Sequence, residues 1–169
     1  MSAFRWKSLL GASVIVFLLY GAFNVFLSLQ VPIKLVTGGV GMNNLVLSTT
    51  TDTYMLGGKQ AVDALRQTNP KLDTLLVSSM LAMCSQMMAF AIVSLLVTWF
   101  VIRQGQAWGV WAVTAAVLIQ IPYYAVIINM YAAQGAPVGG VLPILAVFNI
   151  VPLVAFALGL VGIRRLKIA

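Results

Sequence analysis

The stretch Leu75 to Val101, LLVSSMLAMCSQMMAFAIVSLLVTWFV, carries no charged residue. At about 1.5 Å per residue, a helix of this length exceeds the roughly 30 Å hydrocarbon core of a bilayer. Three further stretches share its character, at about 9–29, 107–131 and 138–163, and the span that opens this paragraph extends to about 75–102. The chain is 62% hydrophobic and only 8% charged, where a soluble domain carries about 25% charged residues. The expected fold class is therefore all-α, a single integral membrane four-helix bundle with antiparallel spans.

The connections differ in length. Residues 30–74 form the one long loop, expected on the outer side. Pro32 disfavours continuation of the first helix, because proline lacks the amide N–H that a helix interior uses. Gly38, Gly39 and Gly41 suggest a flexible turn. The Thr-rich run from Val46 to Tyr54 is expected to be extended and solvent-facing. Lys59 to Gln67 reads as a short amphipathic helix with Ala61, Leu65 and Val62 on its apolar side. Lys59, Asp63 and Arg66 are spaced to pair along one face. Asn69-Pro70 is a good helix start, a capping side chain followed by proline in the first turn. The second long helix is thus expected to begin near Pro70 and to run to about Ile102. Kinks are expected near Pro122 and Pro152, inside the third and fourth spans.

The first apolar run is longer than the roughly 7–15 residues of a signal peptide, and no small-x-small cleavage site follows it, so a retained helix is expected. Neither end carries a lipidation motif. The net charge of +7 does not form a nucleic-acid-binding patch, because the basic residues sit at segment ends. Arg5 and Lys7, Arg103, and Arg164, Arg165 and Lys167 mark one side of the bundle. The long loop has Lys34, Lys59, Arg66 and Lys71, offset by Asp52, Asp63 and Asp73. The positive-inside rule then puts both termini in the cytoplasm, in a multi-pass protein of the plasma (inner) membrane. Trp99, Trp108 and Trp111 cluster near the same interface, with Tyr131 near the other.

The chain has no histidine and a single cysteine, Cys84. Histidine-based acid–base chemistry and an internal disulfide are excluded, and no cofactor or metal is expected. Met80, Met83, Met87 and Met88 surround Cys84. Soft sulfur ligands suit Cu(I), but methionine is also an ordinary filler of apolar gaps, which is the preferred reading. Asp52, Asp63 and Asp73 are the only carboxylates. Surface or capping roles are expected for all of them.

The polar candidates lie inside the spans. Gln86, Gln120 and Asn149 fall near mid-span, Asn24 in the outer half of the first span and Asn129 near the outer end of the third. An amide facing lipid is costly, so these side chains are expected to point into the bundle. They could fix helix register by hydrogen bonding to one another, or form the polar floor of a ligand cavity together with Tyr123 and Tyr124. No ionisable residue lies inside a span, which argues against a proton or ion path. Small residues four apart, such as Ala155 and Gly159, permit close helix approach within a bundle or between two copies.

The segment Trp99 to Val113, WFVIRQGQAWGVWAV, resembles the arginine-x-glycine-x-x-tryptophan pattern at the inner turn of DoxX-like and related small four-helix membrane proteins. The first span, with Tyr20-Gly21-Ala22-Phe23-Asn24, is broadly similar to theirs. The resemblance implies accessory, quinone-associated or lipid-associated roles, and no catalytic residue carries over. The expected function is accordingly a non-enzymatic accessory or binding protein. It would hold a lipid-like or quinone-like molecule or a partner subunit through Asn24, Gln86, Gln120, Tyr123, Tyr124 and Asn149. Expected partners are membrane lipids, a hydrophobic small molecule, and a homo-oligomer or larger membrane complex. The alternatives are a membrane enzyme acting on a lipid or isoprenoid, which requires a loop carboxylate to fold inward, or an oligomeric pore or transporter.

Overall fold

A computed structural model describes residues 4–36 and 46–168. The glycine turn expected at 38–41 lies outside the described residues. Helices α1 (Leu9–Val36), α2 (Thr49–Met55), α3 (Lys59–Thr68), α4 (Pro70–Phe100), α5 (Ala107–Leu118), α6 (Gln120–Ala133) and α7 (Leu142–Ile168) follow in order. Single 3₁₀ turns at Ile102–Gln104 and Val138–Gly140 link α4 to α5 and α6 to α7. The described chain is all-α with no strand. Four helical stretches, with α5 and α6 counted as one, are long and apolar enough to cross a membrane, and they make a four-helix bundle.

α1 is the central member. Its most apolar window is 44% buried, against 17% for each of the others. The cause is a stripe at three- and four-residue spacing, Leu10, Ser13, Val14, Phe17, Tyr20, Gly21, Asn24 and Ser28, all buried. α4 and α7 flank this stripe, and α5 packs on α7. Small residues set the close approaches. A Cβ on Gly21 would come within 2.8 Å of the Leu95 side chain of α4. A Cβ on Gly162 of α7 would fall on the Leu10 backbone. The small pair Ala155 and Gly159 is used inside the bundle, against Ser13 of α1.

The hydrophobic core sits at one end. Leu10, Val14 and Phe17 of α1, Val110 and Val113 of α5, and Ala155 and Ile163 of α7 close around Ile102 of the first 3₁₀ turn. This terminal end also carries Arg103. Its guanidinium lies 4.4 Å from the Trp99 ring centroid, 5.5 Å from that of Phe4 and 5.9 Å from that of Trp6. Gly105 takes a positive φ of 78° to end the turn, and the Trp108 indole donates to Gln106 at 2.8 Å. These contacts give the arginine-x-glycine-x-x-tryptophan segment a physical basis.

Proline acts differently at its three internal positions. The third span breaks at Ile119, one turn ahead of Pro122, because Pro122 has no N–H for the Leu118 carbonyl. α7 runs unbroken through Pro152. α1 continues past Pro32 to Val36, so the expected stop there does not occur. Proline's fixed φ is compatible with a helix, and this close to the end the loss is little more than one backbone hydrogen bond.

The Thr-rich run is also not extended. Residues 49–55 form α2, because Ser48 caps it: the Thr51 amide donates to Ser48 Oγ at 3.2 Å. Thr51 and Asp52 are buried rather than solvent-facing. α3 follows the amphipathic reading with one change: Val62 is its buried anchor, Ala61 is half-buried and Leu65 is exposed. α4 begins at Pro70 as expected and ends at Phe100.

Candidate functional site

The sequence candidates separate into two groups. Asn24 is 5% exposed, and its Nδ2 donates to the Tyr20 carbonyl at 2.8 Å. The same side chain hydrogen-bonds the Tyr20 phenol, and Tyr124 of α6 lies near enough to act on that phenol electrostatically. Tyr124 is half-buried. Asn149 is half-buried on α7 and donates to the Leu145 carbonyl at 2.7 Å. Its neighbour Phe148 packs edge-on against Tyr20 at 6.3 Å and lies 5.8 Å from the Phe23 ring. Tyr20, Asn24 and Phe148 thus form a cluster in the loop half of the bundle, with Tyr124 near Tyr20 and Asn149 beside Phe148 in sequence.

Gln86, Gln120 and Tyr123 do not join it. All are exposed, Tyr123 at 70%. The expectation that every mid-span amide points inward is corrected for Gln86 and Gln120. On α4 the inward stripe runs through Met80, Ala91, Ser94 and Thr98, which turns Gln86 to the opposite side. Gln120 opens α6 at the break ahead of Pro122, where the span stands away from its neighbours. Asn129, likewise expected to point inward, is exposed. The two inward amides bond to carbonyls of their own helices rather than to each other.

The loop half is thinly packed. α6 buries none of its residues. Tyr124, Ile127, Ile128 and Tyr131 form a half-buried stripe on one side of it, while Tyr123, Val126 and Met130 are exposed on the other. Opposite, Ser28 of α1 reaches Met88 of α4, Oγ to Sδ at 3.7 Å. The sulfur residues do not gather: Met80 is buried, Met83 is exposed, and Cys84, Met87 and Met88 are half-buried. Among the described residues no group of His, Cys, Asp or Glu could hold a metal ion.

A roof closes this half. Asp52 is 2% exposed, and its Oδ2 accepts the amides of Val46 at 2.9 Å and Leu47 at 3.3 Å. The Tyr131 phenol hydrogen-bonds the same carboxylate. Tyr54 lays its hydroxyl against Gly135, which has a positive φ of 77°. α2 is thereby fastened across the end of α6. Sequence reasoning assigned Asp52 a surface or capping role, although it is buried rather than on the surface, and missed its link to Tyr131. It also left out Tyr20, although Tyr20 lies four residues before Asn24 and so on the same helix face.

No family model, curated protein or solved structure matches the chain. The class rests on the fold alone: an all-α protein with four helices long and apolar enough to cross a membrane.

Proposed function

We propose that this chain is a multi-pass membrane protein that holds an elongated lipid-like or quinone-like molecule in its loop half without transforming it. The spans run antiparallel in the bilayer, with both termini in the cytoplasm. The grouping of Arg5, Lys7, Arg103, Arg164 and Arg165 with Trp99, Trp108 and Trp111 supports that orientation. The resemblance to DoxX-like small membrane proteins agrees with an accessory role. The observation that carries the binding reading is the state of α6. A helix that buries no residue, yet carries a half-buried stripe of Tyr124, Ile127, Ile128 and Tyr131 with Tyr124 near Tyr20, suits an apolar guest with a polar head. Asp52 folds inward, and the backbone amides and Tyr131 engage it, which favours a holding role over acid–base chemistry.

Native mass spectrometry of gently extracted protein tests the reading. The expected result is a retained apolar amphiphile whose occupancy falls in Tyr20→Phe, Asn24→Leu and Tyr124→Phe. A chain that flies without added mass, or whose adduct ignores all these substitutions, overturns it.

A second reading has its own observation. Gln86 and Gln120 are exposed near mid-span, where an unpartnered amide in hydrocarbon is costly. A helix of a partner subunit or a second copy would satisfy them. Gln86→Leu and Gln120→Leu are then expected to weaken association measured by subunit counting in bilayers. A strictly monomeric wild-type protein there removes this reading.

A further inference from the structure

A second site stands at the terminal end, apart from the loop-half cluster. Between the start of α1 and the end of α7 lies a groove of about 550 Å³, within the roughly 300–1,000 Å³ range of small-molecule sites. Its rim carries Lys7, Arg165 and Trp6, and its floor descends through Ala12 and Gly162 to Ile15. The two helices meet closely beside this groove: Gly162 lies against the Leu10 backbone. Ser8 fixes the approach of the rim. Its Oγ donates to the Arg5 carbonyl at 2.6 Å and accepts the Gly11 amide at 3.0 Å, which holds the turn bearing Lys7 at the head of α1.

The charge of this groove is not balanced by acidic side chains nearby. The chain has only three acidic residues, Asp52, Asp63 and Asp73, and all belong to the opposite end of the bundle. Two exposed cations and an indole stand over an apolar floor, at the place where the spans reach the interface. That combination complements an anionic phosphate headgroup whose acyl chains pass down an apolar surface. We propose that the groove between Lys7 and Arg165 binds an anionic phospholipid of the cytoplasmic leaflet, with the phosphate between the two cations and an acyl chain along Ala12 and Ile15.

The inference rests on membrane insertion but not on the loop-half ligand. Insertion is checked separately by resistance of the full chain to carbonate extraction, so loss of insertion and loss of lipid selectivity read out differently. The full-length protein is placed in nanodiscs of phosphatidylcholine doped with phosphatidylglycerol, and lipids retained on release are counted by native mass spectrometry. Phosphatidylglycerol is expected to be enriched over phosphatidylcholine. At about fivefold per cation, Lys7→Gln with Arg165→Gln should cut the enrichment roughly twenty-five-fold. Arg164→Gln, exposed but outside the groove, should leave it within about twofold. A matched thermal melt confirms that the variants are folded, and Ile15→Trp, which fills the floor while leaving both cations, should also reduce retention. Equal retention of the two lipids overturns the proposal. So does an equal effect of Arg164→Gln, which would make the attraction a diffuse surface field. Full displacement by millimolar inorganic phosphate would assign the cations to free phosphate instead of a lipid, and overturns it as well.

Discussion

Ser13 Oγ donates to the Ala155 carbonyl at 2.6 Å, a buried bond that joins the first long helix to the last across 142 positions of sequence. It lies in the best-packed part of the bundle. Its loss in Ser13→Ala should lower stability by about 0.5–1.5 kcal/mol, the range for a typical intramolecular hydrogen bond. Thermal unfolding in detergent measures it. An unchanged midpoint would mean that the carbonyl finds another donor.

The glycines of α7 and of the turn before it should differ sharply. Gly162 has no room for a side chain, whereas nothing lies within 4 Å of a Cβ placed on Gly139. Gly162→Val is expected to cost at least about 1–3 kcal/mol through overpacking. Gly139→Val should cost less than about 0.5 kcal/mol, as at open surface positions. Comparing folded yield and melting midpoint of the pair decides it, and equal effects would contradict the close approach of α1 and α7.

Thr114 presents the opposite case. Its hydroxyl is buried on α5 and has no hydrogen-bond partner. Replacing it by the similarly shaped valine removes an unsatisfied polar group, which costs about 1–3 kcal/mol when left buried. Thr114→Val should therefore raise the melting midpoint. A clear drop would show that the hydroxyl has a hydrogen-bond partner in the folded protein.

Asp52 holds the roof through two backbone amides and the Tyr131 phenol. Asp52→Asn weakens charge-assisted bonds worth about 1.5–3 kcal/mol each and turns an acceptor into a donor. Amide exchange across 46–58 should speed up, with exchange in α1 near Phe17 unchanged. Uniform acceleration throughout the protein would instead make α2 part of the global fold.

Arg103 lies over Trp99 and close to Trp6 and Phe4. Arg103→Gln removes the cation from this aromatic cage, at a cost of about 0.5–2 kcal/mol. Tryptophan emission should shift, and the turn between α4 and α5 should become more accessible to protease. Retained emission would argue that Trp108 and Trp111 dominate the signal.

How far the sequence could be read depended on the length of the pattern. The four long apolar helical stretches and the amphipathic α3 each rest on many residues acting together, and the start of α4 rests on the strong Asn69-Pro70 signal, so composition and capping were enough to see them. Local rules misjudged single positions. Pro32 stayed helical, and the Thr-rich segment folded because Ser48 could cap it and Asp52 found backbone donors at Val46 and Leu47. In the candidate site, Asn24, Tyr124 and Asn149 turned inward while Gln86 and Gln120 did not. Depth along a helix is a one-dimensional quantity, whereas facing depends on how each helix rotates against its neighbours.

By itself the sequence determined the helical class, the number of long apolar helical stretches and the confinement of the acidic residues to the long loop, because these follow from summed hydrophobicity and charge along the chain. Only the tertiary structure decided that α1 is central, that the core gathers at the terminal end and that α6 buries nothing. It also decided which side of the Gln86 turn faces out. Close approaches at Gly21, Gly159 and Gly162 underlie the central place of α1, where a Cβ would meet the Leu95 side chain, the Ser13 and Val110 side chains and the Leu10 backbone respectively.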